Sequence, residues 1–262
     1  MIGYLEHHIV DHCNLNCVGC SHFSPLAKEW FEDLEEFRKD FSKLASMTEV
    51  GTIRLMGGEP LLHPQVTEFI KIARELFPKT DLQLVTNGLL LSKRKNEIMD
   101  LCNELHVTIC VSDYHIIDLQ KALEGFKYTR VDYKARLYNV CLDPFGSKDN
   151  VDSFNHCDLH MYHWYYFQGG RFYPCCVFAN IRHFNEYFGE ELKNSDMGEF
   201  ITLYTPEKDE ISISIHEHTI EEVEEFLNTP KELCKYCDTI QRQRSYKDFS
   251  VSKKELSEWI CP

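Results

Sequence analysis

The chain has 262 residues, 28 Lys and Arg against 42 Asp and Glu, a formal net charge of −14 and 12 Cys. That length allows one ordinary domain with a smaller appendage, and 43% hydrophobic with 13% aromatic residues supply a buried core rather than a disordered chain. The acidic balance argues against nucleic-acid and anionic-membrane partners, no apolar run is long enough for a bilayer, and Glu6, Asp11 and three early His exclude a signal peptide. A soluble cytoplasmic protein is expected. Thiols stay reduced there, so the cysteine excess points to metal or redox chemistry.

Residues 3–10 read as a strand that runs into Cys13, Cys17 and Cys20. Residues 30–47 place Phe31, Leu34, Phe37, Phe41 and Leu44 at helical spacing. A strand over 52–56 ends at Gly57-Gly58, and a helix over 64–77 has Pro64 in its first turn. The strand 82–86 ends at Asn87-Gly88, a helix covers 93–105, and the strand 107–112 leads to Asp113-Tyr114-His115 and a helix over 116–126. This β–α alternation predicts an α/β fold with a parallel, partial TIM-like barrel. The strand ends then meet at one rim, where barrel enzymes place their sites. Cys13 and residues 57–60, 86–88 and 112–115 belong to that rim.

Beyond about residue 130 the pattern changes. Residues 133–142 read as one more strand, with Arg136 and Tyr138 on a common face. Gly169-Gly170 marks a hairpin, 210–215 a strand, and 219–227 an acidic helix. The expected division is 1–145 for the partial barrel and 146–262 for a smaller module.

Cys13, Cys17 and Cys20 form C-x3-C-x2-C, too close together for three separate packing sites. Such thiolates converge on a soft metal centre, and three of them leave one iron of a four-iron cluster open to a small molecule. Zinc with His12 or His22 as fourth ligand is the alternative. With LMGGEP (55–60) after the second strand and VTNG (85–88) after the third, the chain resembles the radical S-adenosylmethionine (SAM) enzymes. The resemblance implies a SAM-binding 4Fe-4S cluster on Cys13, Cys17 and Cys20. It also implies SAM contacts from Gly57, Gly58 and Glu59, ribose-side roles for Thr86 and Asn87, and a rim position for Ser112. A flavodoxin- or ferredoxin-type reductant is the implied partner. The family's aromatic residue before the third cysteine is Gly19 here, which leaves the adenine contact to another residue such as Phe23.

The tail carries Cys157, Cys175, Cys176, Cys234 and Cys237. GGRFYPC (169–175) and C-x2-C (234–237) resemble the twitch or SPASM type of auxiliary-cluster domain. That resemblance implies a second 4Fe-4S cluster held by Cys157, Cys175, Cys234 and Cys237, with Cys176 competing for Cys175. Zinc on Cys157-x2-His160 and Cys234-x2-Cys237 is the alternative. In its short barrel, single auxiliary cluster and spacing of the first two tail cysteines the chain resembles the deoxy-scyllo-inosamine dehydrogenase type of enzyme, and a fully protein-ligated cluster suits electron acceptance. The implied reaction is oxidation of a small polyol, sugar or aminocyclitol after hydrogen abstraction by a 5′-deoxyadenosyl radical. Three residues are candidates for contact with such a substrate: His115 on the rim, Arg136 on the last strand, and Cys141 as a spare thiol. An epimerase using Cys141 as hydrogen donor, a peptide modifier and a non-catalytic iron–sulfur carrier are the rival readings. Cys102 and Cys110 fit a helix and strand core, and Cys261 has no expected role.

Overall fold

In the computed structural model, residues 1–133, 137–138, 141–195, 211–239, 246–247 and 249–261 are described. The chain divides into two units. The first comprises Met1–Leu15 and Glu29–Ala135, the second Asn16–Lys28 and Arg136–Pro262.

The first unit repeats strand and helix: β1 (Ile2–Val10), α1 (Leu34–Met47), β2 (Val50–Gly57), α2 (Val66–Leu76), β3 (Asp81–Thr86), α3 (Leu91–Glu104), β4 (Thr108–Asp113), α4 (Leu119–Leu123) and β5 (Thr129–Tyr133). The strands lie in the order β5-β4-β3-β2-β1 and pair in parallel throughout. This is the parallel β/α layer of a partial TIM-like barrel. Pleating separates two faces. On one, His7 meets the rings of Phe37 and Phe41 from α1, alongside buried Leu5, Ile53, Leu84 and Ile109. On the other, Arg54 lies 3.6 Å from Glu6, and the Cys110 thiol donates to Gln83 Oε1 at 3.3 Å. Cys102 and Cys110 are fully buried, as core positions should be.

Helix ends follow local chemistry. The expected start of α1 at residue 30 moves to Leu34 because the Asp33 carboxylate accepts the amides of Glu35 and Glu36. Pro64 precedes α2, which begins at Val66, rather than lying in its first turn. The helix expected over 116–126 shrinks to five residues, since Asp118 caps it late and Gly125, at φ +88°, ends it. β5 was not anticipated, although its sequence, TRVDY, has the β-branched and aromatic content of a strand.

The second unit opens with β6 (Leu137–Tyr138), which pairs antiparallel with β10 (Tyr246–Lys247). The long strand expected over 133–142 is thus only two residues among those described. Short helices α5 (Asn150–Asn155) and α6 (Asp158–Met161) precede the hairpin β7 (Tyr165–Gln168) and β8 (Arg171–Tyr173). Gly169 and Gly170, at φ +57° and +66°, form its turn. β9 (Ile213–Ser214) joins β8 antiparallel, and α8 (Ile220–Asn228) starts with a Thr219/Glu222 capping box.

α7 (Cys176–Lys193), 18 residues long, is the main element the sequence pattern did not reveal. It begins directly at the Cys175-Cys176 pair without a capping side chain. Its Ile181, Phe184, Phe188 and Leu192 enter a core with Phe23, Leu142, Tyr166 and Trp259. No described helix is long and apolar enough to cross a membrane.

Candidate functional site

In the first unit the ends of β1, β2 and β3 are tied together by hydrogen bonds. The amide of Gly58 donates to Val10 O at 2.8 Å and that of Glu59 to His12 O at 3.2 Å, which fixes the turn beside the residues leading into Cys13. The approach is too close for side chains. A Cβ on Gly57 would lie 2.0 Å from Val10 O, and one on Gly58 2.2 Å from His12 O. The two glycines therefore serve this chain's own packing, whatever they do for a ligand.

Glu59 is fully buried. Its carboxylate accepts from Thr86 Oγ1 at 2.7 Å, Asn87 N at 2.9 Å and Leu61 N at 3.1 Å. Burial raises its pKa from 4.5 to about 7, and the hydrogen bonds to Thr86, Asn87 and Leu61 oppose that rise. The residue thus braces the β2 and β3 ends against each other. Asn87 reaches the cysteine loop: its Nδ2 donates to Asn14 Oδ1 at 2.8 Å and lies 3.6 Å from Cys13 Sγ. Arg94, which sequence reasoning passed over, holds the following loop through the carbonyls of Leu61 at 2.8 Å and His63 at 3.3 Å. Its only sequence signal is a cation in the first turn of α3, where the helix dipole gives it no advantage.

The three loop cysteines carry thiols rather than disulfides, with Cys17 buried and the others half-buried. Donors surround two of the sulfurs. Leu15 N points at Cys13 Sγ from 3.3 Å. Burial pushes the Cys20 thiol up, while the amides of Ser24, His22 and Phe23 pull it down. Amides directed at sulfur favour thiolate, the form that ligates iron, so these residues fit the cluster the motif implies. Gly19 has φ +59°, a conformation that disfavours the aromatic residue found there in the family. Phe23 is fully buried in the second unit's core, near Phe184 and Trp259, so it is not the substitute adenine contact.

In the second unit, three separate segments bring four cysteines together. Cys157 immediately precedes α6, Cys175 immediately precedes α7, Cys234 lies in a short 3-10 turn (Glu232–Tyr236) and Cys237 follows it. Burial pushes the Cys175 thiol well up, and Cys176, Cys157 and Cys237 push it further. Burial takes Cys234 to about 12, with added pushes from Cys237 and Cys157. Cys175 and Cys234 thus each resist ionisation beside neighbouring thiols, which a bound cation would offset. The N-terminus of α7 adds favourable dipole at Cys175. This donor set fits a fully protein-ligated iron–sulfur cluster. The rival ligand His160 stacks on Phe154 with ring centroids 3.7 Å apart.

The other candidates separate. Asp113, absent from the sequence-based set, orients His115: its Oδ1 accepts His115 N at 2.7 Å and its Oδ2 lies 3.1 Å from Nδ1. The His115 side chain remains 62% exposed, open to a ligand. Ser112 is half-buried on β4, in register with Asp132 of β5. Arg136 lies outside the described residues. Cys141 is not a spare thiol, because it is disulfide-bonded to Cys261.

Residues 8–126 match the model of the Radical SAM superfamily. GTP 3′,8-cyclase from Nautilia profundicola is 32% identical over 101 residues, 38% of this chain and 32% of that protein. The enzyme of the same name from Aliarcobacter butzleri is 28% identical over 171 residues, 60% of this chain and 52% of that protein. The chain therefore matches about half or less of the length of these relatives. A crystal structure of BtrN in complex with AdoMet and 2-DOIA aligns with 100% of this chain and 99% of its own, at 17% identity and a TM-score of 0.48. By the superfamily match and the three motifs it contains, the segment 8–126 is similar to the radical SAM domain.

Proposed function

We propose that this chain is a radical SAM oxidoreductase that oxidises an alcohol of a small polyol, sugar or aminocyclitol with the help of an auxiliary 4Fe-4S cluster. The observation that carries this reading is the convergence of Cys157, Cys175, Cys234 and Cys237 within the second unit. An enzyme that only cleaves SAM has no need of a second, closed cluster, whereas alcohol oxidation must dispose of an electron.

Cys13, Cys17 and Cys20 would hold the first cluster, which with SAM bound would supply the radical chemistry of hydrogen abstraction. The remaining steps fall to the protein. Asn87 anchors the Cys13 loop to the β3 rim, and Glu59 locks that rim to the Gly-Gly-Glu turn. His115, aligned by Asp113, is placed to take the hydroxyl proton as the substrate is oxidised. Cys157, Cys175, Cys234 and Cys237 would hold the second cluster, whose chemistry would be one-electron acceptance. A flavodoxin or ferredoxin is the proposed reductant.

The test is anaerobic incubation of reconstituted, reduced protein with SAM and a panel of cyclitols and sugars. Substrate-dependent 5′-deoxyadenosine with a ketone product is expected. No cleavage of SAM under any condition would overturn the enzyme reading in favour of an iron–sulfur carrier. Solvent deuterium at an inverted carbon in deuterated water would replace oxidation with epimerisation. The matched relatives support a second reading, in which a nucleotide is rearranged. GTP belongs in the same panel, and its conversion to a cyclised product would decide for that reading.

A further inference from the structure

We propose that Cys141 and Cys261 form a reversible thiol–disulfide latch that fastens the segment 256–261 beside Cys20 and Cys237. The two residues are 120 positions apart in sequence, yet their Cα atoms are 5.0 Å apart. Backbone pairing holds them there. Leu142 N donates to Trp259 O and Cys261 N to Leu142 O, both at 2.8 Å, which makes a parallel bridge with Ile260. On its other side Leu142 bridges Cys237 antiparallel, with Asp238 N donating to Cys141 O at 3.0 Å.

The latched segment carries Trp259, which is fully buried. Its Nε1 donates to the carbonyl of Cys20 at 3.1 Å, and its ring packs near Phe23 and Phe188. The covalent link thus closes a short segment that touches a proposed ligand of the first cluster and pairs beside a proposed ligand of the second. With the bond reduced, the segment keeps its pairing with Leu142, the buried Trp259 and the Glu258 carboxylate, which accepts from Ser252 Oγ and Lys253 N, and its opening becomes easier.

The oxidant named here is a small-molecule disulfide such as oxidised glutathione. The Cys261 thiolate, on the more exposed of the two residues, attacks it and expels one thiolate, leaving a mixed disulfide. The Cys141 thiolate then displaces the second thiolate and the protein bond forms. Two protein thiols lose two electrons and two protons, and the oxidant becomes two thiols.

The experiment uses the reconstituted holoenzyme in anaerobic glutathione buffers, with alkylation, peptide mass spectrometry and hydrogen exchange. A Cys141–Cys261 crosslinked peptide should accumulate as oxidised glutathione rises and vanish on reduction. Exchange over 256–261 should slow at least ~10-fold on oxidation of the wild type and stay unchanged in Cys261→Ser. Full alkylation of both cysteines at every ratio, a bond that does not reopen, or equal exchange in both states would overturn the proposal. Iron and sulfide content, read in parallel, tests the clusters independently.

Discussion

Glu59 shows how one residue can serve a site while holding the fold together. Its buried carboxylate accepts three hydrogen bonds, and burial still leaves its pKa near 7 rather than 4.5. A folded pKa above the unfolded one means that the protonated carboxyl favours folding. Its burden on stability is absent below pH 4.5, grows as the pH rises, and is complete above about 7. Denaturant titrations should therefore show Glu59→Gln gaining ~3 kcal/mol on the wild type between those limits. A pH-independent difference would assign the carboxylate an ordinary pKa. The motif containing Glu59 was legible in the sequence, but its partners were not. Thr86 and Asn87 lie 27 and 28 residues away, and only the parallel register of β2 and β3 brings them close. Asp113 escaped notice because its role depends on the left-handed backbone of His115, at φ +59°.

At the scale of elements, periodicity revealed what caps and glycines punctuate and missed what they do not. The strand–helix alternation up to β4 followed from apolar spacing and turn residues, and the structure keeps all of it with shifted ends. The hairpin at Gly169-Gly170 and α8 were also readable from turn and capping chemistry. α7 was not, because cysteines that look like ligands occupy its start and buried residues surround much of its length. Two substitutions probe these elements by urea unfolding. Thr219→Ala removes the α8 capping box and should cost about 1 kcal/mol. Arg94→Ala removes the guanidinium donor from the carbonyls of Leu61 and His63, the latter keeping only the Val66 amide, and should cost about 1–3 kcal/mol, with faster exchange over 59–65.

For the whole molecule, the 12 cysteines sort by environment. Cys102 and Cys110 are packed, Cys141 and Cys261 are bonded to each other, Cys176 is buried beside Cys175, and the remaining seven belong to two groups rich in sulfur-directed donors or neighbouring thiols. The sequence separated those seven from the rest by spacing and resemblance. It could not reveal the Cys141–Cys261 pair, which depends on the pairing of Leu142 with Ile260 across the second unit. The acidic balance, −14 overall, agrees with a small-molecule substrate, since a nucleic acid would require clustered cations.

The central claim, two independent iron–sulfur centres, is tested by iron and acid-labile sulfide analysis of the anaerobically reconstituted wild type and the Cys13→Ala/Cys17→Ala/Cys20→Ala triple variant. Two clusters predict about eight irons per wild-type chain and about four in the variant, which keeps cluster absorbance but no longer cleaves SAM. A variant devoid of iron, or one holding a single zinc in place of the remaining cluster, would contradict it.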